Sequence, residues 1–304
     1  MAVVQDPSIQ RKRLRTELRK ARESAGMRQG DVAKAMDWSP SKLIRIEGGQ
    51  VSISTNDLRA LLDHYKIKDS RRTTNLLELA KTSRGTSFYD QYNSVLKPGF
   101  RDYLAYEGAA SGIRQYDPVL VPGLLQTEEY ARTILDFAFG LDEDDIENAW
   151  AVRQHRQEAI HEREDPPEMS FVLDEAALRR RVGRDGRTMV RQLERLKDYA
   201  AQPNVTARVL PFAAGAHPGM AGNFILLEFD EADLDDLVHL ESVDDITIRD
   251  NPELIARFVE RFEKLESLSL SPEDSVVFFD KLIAEMGSEG GGPSRPDQTR
   301  PTAD

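Results

Sequence analysis

The sequence predicts two folded parts: an all-α N-terminal domain of five helices and a larger C-terminal α+β domain with a small, mostly antiparallel sheet. The first observation is the length, because 304 residues exceed the usual size of a single domain. The second is the spacing of apolar residues, which is helical through the first 84 residues and alternates with a period of two mainly after residue 204. Helices that surround a run of strands are typical of the α+β class.

Composition and turn signals divide the chain into four segments. Residues 1–12 are expected to form a basic N-terminal arm, residues 13–84 the helical domain, residues 85–286 the α+β domain, and residues 287–304 a tail. The tail is rich in Gly, Pro and Ser, so we expect it to be disordered. No internal repeat and no coiled-coil heptad run is apparent.

Signals for helix starts and stops agree with one another in the N-terminal domain. The third helix is expected to begin with Ser39 as N-cap and Pro40 in its first turn, and to stop at Gly48. A tight turn at Asp37 precedes it, where Asp tolerates left-handed geometry, and Trp38 is expected in the core rather than as a base-stacking platform. We expect the five helices at about residues 13–25, 29–36, 40–47, 55–65 and 70–80.

Charge is distributed unevenly along the chain. The whole protein carries a formal net charge of -12, yet residues 1–84 hold 18 basic against 10 acidic side chains, a net charge of +8. The other 220 residues hold 23 basic and 43 acidic side chains, a net charge of -20. Such asymmetry indicates a small module that binds a polyanion, joined to a domain that avoids one.

Two short helices joined by a tight turn are the arrangement of a helix-turn-helix DNA reader. The segment MRQGDVAKAMDWSPSKLIRIEGG resembles the phage-repressor (Cro-like, XRE-type) family, and the resemblance covers about residues 13–80. It implies that Gln29 contacts a backbone phosphate and that Pro40, Ser41 and Arg45 face the major groove. It also implies that Lys42 reaches a base or a phosphate.

The chemistry of these side chains supports some of the implied contacts more than others. Arg45 can bind guanine O6 and N7 with two hydrogen bonds, worth about 1–3 kcal/mol of discrimination. Ile44 either presses on a thymine methyl group or packs against a neighbouring helix. The basic residues 11–15 either neutralise phosphates and enter a minor groove or form a solvated tail. The candidate DNA-contacting residues are Arg13, Arg28, Gln29, Ser39, Pro40, Ser41, Lys42, Ile44 and Arg45.

The C-terminal domain alternates helix and strand signals. Helices are expected after Thr127, from Asp142 to about Glu164, from Asp174, over about residues 189–200, and at 252–267 and 272–286. Strands are expected in the segments MSFVL, VTARVLPF, GNFILLEF, DLVHLES and DITIR.

The whole chain also resembles an actinobacterial family of antitoxin-like transcriptional regulators. The resemblance rests on VPGLLQTEEYAR, on Arg153 and Arg156 followed by Gln157, on FVLDEAALRR, and on the closing LSPEDS. It implies a DNA-binding regulator whose C-terminal domain has a small protein, encoded by an adjacent gene, as a candidate partner. The candidate partner- or ligand-binding residues are Gln126, Tyr130, Arg153, Arg156, Asp174, Glu175 and His217. Asp174 and Glu175 have a structural alternative, as a helix cap and a complement to the helix dipole.

Other function classes lack support in the sequence. With no cysteine there is no thiolate metal site or cysteine nucleophile, and the five histidines form no metal-binding pattern. No nucleotide-binding or hydrolase motif occurs. We therefore expect no enzyme, no cofactor, no metal and no membrane association, and a cytoplasmic, nucleoid-associated protein. The expected function is a homodimeric sequence-specific repressor or activator on a near-palindromic operator. The alternative is an antitoxin-like interaction protein that sequesters a partner and uses DNA binding for autoregulation.

Overall fold

The computed structural model describes residues 6–48, 51–92, 94–183, 186–230, 234–241 and 246–289. The chain forms two compact units. The first consists of Met1–Ser111 with Leu227–Asp236, and the second of Gly112–Leu226 with Leu237–Asp304. Among the described residues, no helix is both long enough and apolar enough to cross a membrane.

The first unit is helical. Its helices are α1 (Pro7–Ser24), α2 (Gln29–Ala35), α3 (Pro40–Glu47), α4 (Thr55–His64), α5 (Ser70–Thr82) and α6 (Pro98–Glu107), with a short 3-10 helix at Phe88–Tyr92. The five expected helices are present. Their apolar faces meet in one core, in which Leu18, Val32, Leu43 and Leu58 are fully buried. Burial of each such side chain stabilises the fold by about 1.5–3 kcal/mol.

The basic arm expected at residues 1–12 is not what the structure shows from residue 7 onward, because α1 begins at Pro7. Lys12 is buried and its Nζ lies 5.6 Å from the centre of the Tyr106 ring. Arg11 donates a hydrogen bond from Nε to the carbonyl oxygen of Ser83, at 3.1 Å. Residues 7–12 are therefore the first turns of α1 and make contacts with the rest of the unit. Residues 1–5 lie outside the described residues.

The boundary predicted near residue 85 falls inside the first unit, which continues to Ser111. The physical reason is the packing of α6 on α1. Arg15 donates from Nη2 to the Tyr106 hydroxyl at 3.1 Å, so the segment after residue 84 shares side-chain contacts with the helical core.

The described residues form a six-stranded sheet with the strand order β3-β2-β1-β4-β5-β6, and all of its strand residues except the last two of β4 are assigned to the second unit. The strands are β1 (Gly112–Asp117), β2 (Glu168–Asp174), β3 (Val205–Leu210), β4 (Phe224–Glu228), β5 (Leu237–Glu241) and β6 (Ile246–Arg249). The α+β class is confirmed, but the sheet is mixed rather than mostly antiparallel. Strand β2 pairs in parallel with both β1 and β3, whereas β5 and β6 are antiparallel. The connections of β1 to β2 and of β2 to β3 contain helices, and such long crossovers are what parallel pairs require.

Six helices belong to the second unit. They are α7 (Glu128–Phe137), α8 (Glu143–His161), α9 (Glu175–Arg179), α10 (Arg187–Ala200), α11 (Pro252–Leu268) and α12 (Pro272–Glu289). Several of these helices begin at a side-chain cap, since the side chains of Thr127, Asp142 and Asp174 each accept a backbone N–H of the helix that follows. Helix α12 runs to Glu289, so residues 287–289 are helical and not part of a disordered tail. The rest of the expected tail lies outside the described residues.

Aromatic packing joins the sheet to α11. The fully buried Tyr116 of β1 and Phe224 of β4 have ring centres 6.2 Å apart. Phe224 in turn lies 5.0 Å from Phe258 and 6.3 Å from Phe262 on α11. The chain therefore buries one side of the central strands against a helix and fixes the position of Tyr116.

Candidate functional site

The turn between α2 and α3 has the geometry that a helix-turn-helix requires. Asp37 adopts φ +55°, a left-handed conformation that Asp tolerates better than most residues. The backbone N–H of Trp38 donates to the carbonyl oxygen of Ala33 at 2.8 Å. Trp38 packs against the core of the unit, as the sequence predicts. The turn thus fixes where α3 begins.

Helix α3 has one buried and one exposed face. Leu43 and Ile46 point into the core, whereas Ser41, Ile44 and Arg45 are exposed. Ile44 is 53% exposed, so the alternative of packing against a neighbouring helix is not what the structure shows, and its contact with a thymine methyl group stays a prediction. The exposed face offers a hydroxyl, an apolar and a guanidinium group to a groove.

The beginning of α3 is exposed as well. Ser39 is the N-cap residue, but its hydroxyl makes no hydrogen bond to the helix backbone. The hydroxyl oxygen lies instead 3.2 Å from the hydroxyl oxygen of Ser41. Pro40 is exposed beside them, and so is Arg28, which precedes α2. These four predicted residues lie on the surface, where a phosphate or base edge could reach them.

Lys42 differs from the other predicted contacts because its amine has partners within the protein. Its Nζ lies 3.0 Å from Oδ2 of Asp57 in the first turn of α4. The same atom lies 4.1 Å from the centre of the Trp38 ring. A contact of Lys42 with DNA would have to compete with this ion pair.

A buried carboxylate holds the first three helices together. Glu47 at the end of α3 accepts hydrogen bonds from Nε and Nη2 of Arg22 at 2.7 and 3.1 Å. Their side chains are only 3% and 10% exposed. The hydrogen bond to Glu47 raises the pKa of Arg22 above its usual value. Gln29 donates from Nε2 to the same carboxylate at 2.8 Å, so its side-chain donor is engaged inside the protein. Its predicted phosphate contact stays a prediction.

Two basic residues beside α3 were not predicted as site residues. Arg19 and Arg22 of α1, with Arg28 and Ile44, are among the residues that line a shallow depression of about 540 Å³. The available signal was the spacing of three residues between Arg19 and Arg22, which places both on one face of α1. Arg15 also contacts the C-terminal end of α3, because its Nη1 donates to the carbonyl oxygen of Gly48 at 3.3 Å.

Arg13 lies elsewhere in the unit. With Glu17 of α1 and with Arg72 and Leu79 of α5 it lines a second depression, of about 440 Å³. The structure therefore groups it with the α1–α5 surface and not with the exposed face of α3.

In the second unit the structure brings four predicted residues together beneath the turn at residues 121–126. The amide of Gln126 donates to the carbonyl oxygen of Val121 at 2.6 Å. The hydroxyl of Tyr130 accepts the backbone N–H of Val121 at 3.2 Å. Arg153 and Arg156 of α8 lie against the same turn, because a Cβ added to Gly123 would be 3.6 Å from Nε of Arg153 and 2.8 Å from Nη1 of Arg156.

The other three predicted residues lie around the end of β2. Asp174 caps α9 by accepting the N–H of Ala176 at 2.9 Å, as its structural alternative predicts. Its second carboxylate oxygen accepts the hydroxyl of Tyr116 at 3.1 Å and lies 3.8 Å from Nε2 of His217. Burial, and then the charge of Asp174, raise the pKa of Tyr116. Tyr116 was not predicted, because a buried aromatic residue in a strand looks like any core residue.

Glu175 is engaged within the protein. Its carboxylate accepts Nε of Arg179 at 2.5 Å and the backbone N–H of Phe212 at 2.7 Å. Among the residues that the structure describes, no group of three His, Asp or Glu side chains could hold a metal ion.

The exposed face of α3, its fixed turn and the basic residues around it define the class of protein: a helix-turn-helix protein. Residues 13–74 match a family described as a helix-turn-helix domain. Residues 100–281 match the family described as a domain of unknown function, DUF5753, and since this match covers more than half of the chain, the protein belongs to that family. Neither a curated protein nor a solved structure matches the chain. The helix-turn-helix domain indicates a DNA-binding regulator.

Proposed function

We propose that the protein is a sequence-specific transcriptional regulator of the XRE type, a repressor or an activator, that inserts α3 into the major groove. The observation that carries this proposal is the two-faced helix α3, which buries Leu43 and Ile46 and exposes Ser41, Ile44 and Arg45. A helix held from behind by apolar packing can present a constant set of side chains to base edges. The net charge of +8 on residues 1–84 supports attraction to phosphates.

The regulator acts as a homodimer on a near-palindromic operator. One helix of eight residues reads only a few base pairs, so two copies are needed for a site that is rare in a genome. The half-sites are expected about one helical turn apart. In this proposal the protein is cytoplasmic and associated with the nucleoid.

The C-terminal domain senses a small companion protein or ligand. Its strong negative charge disfavours DNA, so its surface suits another partner. A ligand changes operator affinity only by binding one state of the regulator more tightly than the other. Our proposal assigns no catalytic activity and no cofactor to this domain.

A second candidate function is that of an antitoxin-like protein whose main role is to sequester a partner. It is favoured by two exposed aromatic residues at the C-terminal end of α7, since Phe137, the last residue of the helix, and Phe139 are 69% and 60% exposed. Exposed aromatic side chains close together are enriched at protein interfaces. DNA binding would then serve autoregulation.

Fluorescence anisotropy with labelled DNA tests the proposed function. The full-length protein is titrated with DNA from the region upstream of its own gene and with a scrambled control, at several salt concentrations. Arg45→Ala is expected to weaken specific binding about 5- to 150-fold, equivalent to about 1–3 kcal/mol, and to relax the preference at one base pair. Arg71→Ala, which removes an exposed arginine from α5, is the matched control and should preserve base preference.

The proposed function fails if Arg45→Ala leaves both affinity and base preference unchanged. Adding the product of the adjacent gene separates the two candidates: loss of operator binding supports a sensor, whereas a stable stoichiometric complex with unchanged operator binding supports sequestration.

A further inference from the structure

The turn at residues 121–126 lies against α8. Gln157 donates from Nε2 to the carbonyl oxygens of Gly123 and Gln126, both at 2.9 Å. Arg153 and Arg156 precede Gln157 by four residues and by one residue. Positions four apart lie on the same face of a helix, so Arg153 faces the turn that Gln157 binds.

Arg153 lacks partners for two of its nitrogen atoms. Its Nε and Nη1 are buried and have no hydrogen-bond partner. Leaving a buried donor atom unsatisfied costs about 1–3 kcal/mol, and native proteins rarely do so. An unsatisfied buried donor of this kind therefore points to a missing acceptor.

Both guanidinium groups point to the same place. A Cβ at position 123 would lie 2.8 Å from Nη1 of Arg156 and 3.6 Å from Nε of Arg153. Glycine at this position lets the backbone of the turn approach the two groups closely. The turn and α8 thus enclose a point at which two positive charges converge.

The surroundings of the two arginines contain polar and charged groups. The side-chain oxygen of Gln126, Oε1, is buried without a hydrogen-bond donor. Burial, and then the charge of Arg156, lower the pKa of Arg153 to about 10. Burial, and then the charge of Arg156, also lower the pKa of His239 to about 4. The carboxylate of Glu241 acts on Arg153 in the opposite direction, so the case for a bound anion rests on the unsatisfied donors of Arg153.

We propose that Arg153 and Arg156 form a binding site for the anionic group, a carboxylate or a phosphate, of a small molecule held beneath the turn at residues 121–126. One oxygen of such a group can accept the Nε–H of Arg153, and the charge of the group then lies close to the guanidinium of Arg156. Gln126 Oε1 accepts a hydrogen bond from a hydroxyl or amine elsewhere on the ligand. The consequence for regulation rests on the proposed sensing function, whereas the site itself does not depend on DNA binding.

The test uses Trp150 of α8 as a fluorescent reporter, because it lies one turn before Arg153 on the same helix. The other tryptophan is removed by Trp38→Phe in the full-length chain. This protein is titrated at constant ionic strength with sodium phosphate, with sodium acetate and with sodium chloride. We expect a saturable change in Trp150 fluorescence with phosphate or acetate, at concentrations where chloride has no effect.

Two variants locate the response. Arg153→Gln should weaken binding of the responding anion at least 10-fold, and Arg153→Lys, which keeps the charge but loses the Nε–H donor, should weaken binding less. Arg257→Gln removes an exposed arginine of α11 and is the matched control, which should respond like the parent protein. Because two buried nitrogens of Arg153 have no hydrogen-bond partner, Arg153→Gln should fold at least as stably as the parent.

A response to phosphate alone assigns a phosphate ligand, and a response to acetate alone assigns a carboxylate. The proposal is overturned if neither anion differs from chloride, or if Arg153→Gln responds like Arg257→Gln. Because no DNA is present, failure of the proposed regulator function would leave this result unchanged.

Discussion

Replacing Glu47 by Gln should destabilise the first unit by about 3 kcal/mol. The substitution keeps the size of the side chain but removes its charge, so the guanidinium of Arg22 loses its nearest and most buried counter-ion. Breaking one side of a buried ion pair costs about 3–5 kcal/mol. One acceptor oxygen remains for Arg22 or Gln29, which places the expected loss at the lower end of that range. Since small domains are stable by about 5–15 kcal/mol, this is a large fraction.

Urea unfolding measures this loss in the full-length protein. Trp38 packs against the core of the first unit, so its fluorescence reports that unit once Trp150 is replaced by Phe. A loss of 3 kcal/mol should lower the urea midpoint by roughly 1–3 M. Glu23→Gln is the control, because Glu23 is exposed: its ion pair with Arg19 and its longer contact with Nη2 of Arg22, at 3.4 Å, are expected to contribute little.

A double substitution tests whether the unpaired charge of Arg22 causes the loss of stability. Arg22→Met combined with Glu47→Leu removes both charges and should recover at least half of the lost stability, since apolar replacements of buried ion pairs are often neutral. The reasoning is refuted if Glu47→Gln shifts the midpoint no more than Glu23→Gln does.

Two further predictions concern the second unit. His239 is buried beside Arg156, and its pKa is lowered from 6.5 to about 4. Between these pH values the imidazole is protonated in the unfolded chain but neutral in the folded chain. Stability should therefore fall by up to about 3 kcal/mol as the pH falls from 6.5 to 4, and His239→Gln should flatten this part of a profile of urea midpoint against pH. Gly219→Ala should lower the thermal midpoint by several degrees in calorimetry, because its Cβ would lie 2.4 Å from the Tyr116 ring; an unchanged midpoint would mean that the ring can move aside.

Helix boundaries were predictable because their signals are local. Thr127, Asp142 and Asp174 each begin a helix by a contact that reaches only two or three residues along the chain. The direction of strand pairing could not be predicted from local signals, since β1 and β2 are paired across a connection of 50 residues. β1 itself, GIRQYD, is not among the predicted strands, because it lacks clear alternation of apolar and polar residues.

In the candidate sites, too, features set by local spacing could be predicted, whereas contacts between distant residues could not. The exposed positions of α3 follow from helical spacing once Leu43 and Ile46 are assigned to the core. By contrast, the bond between Arg22 and Glu47 joins residues 25 positions apart, and the sequence indicates only that Glu47 ends a helix. The hydrogen-bond partners of Arg153 depend on how the turn at residues 121–126 packs against α8. This packing cannot be read from the sequence.

The separation of the two faces of α3 has a consequence for how such a protein can diverge. Glu47, with Arg22 and Gln29, anchors the helix from within, whereas Ser41 and Arg45 contribute little to the core. Exchanges at the exposed positions are therefore expected to change the DNA sequence that is read at little cost in stability. Duplicated copies of the gene could acquire different operators by few substitutions, and a library randomised at positions 41, 44 and 45 should yield many folded proteins with new preferences.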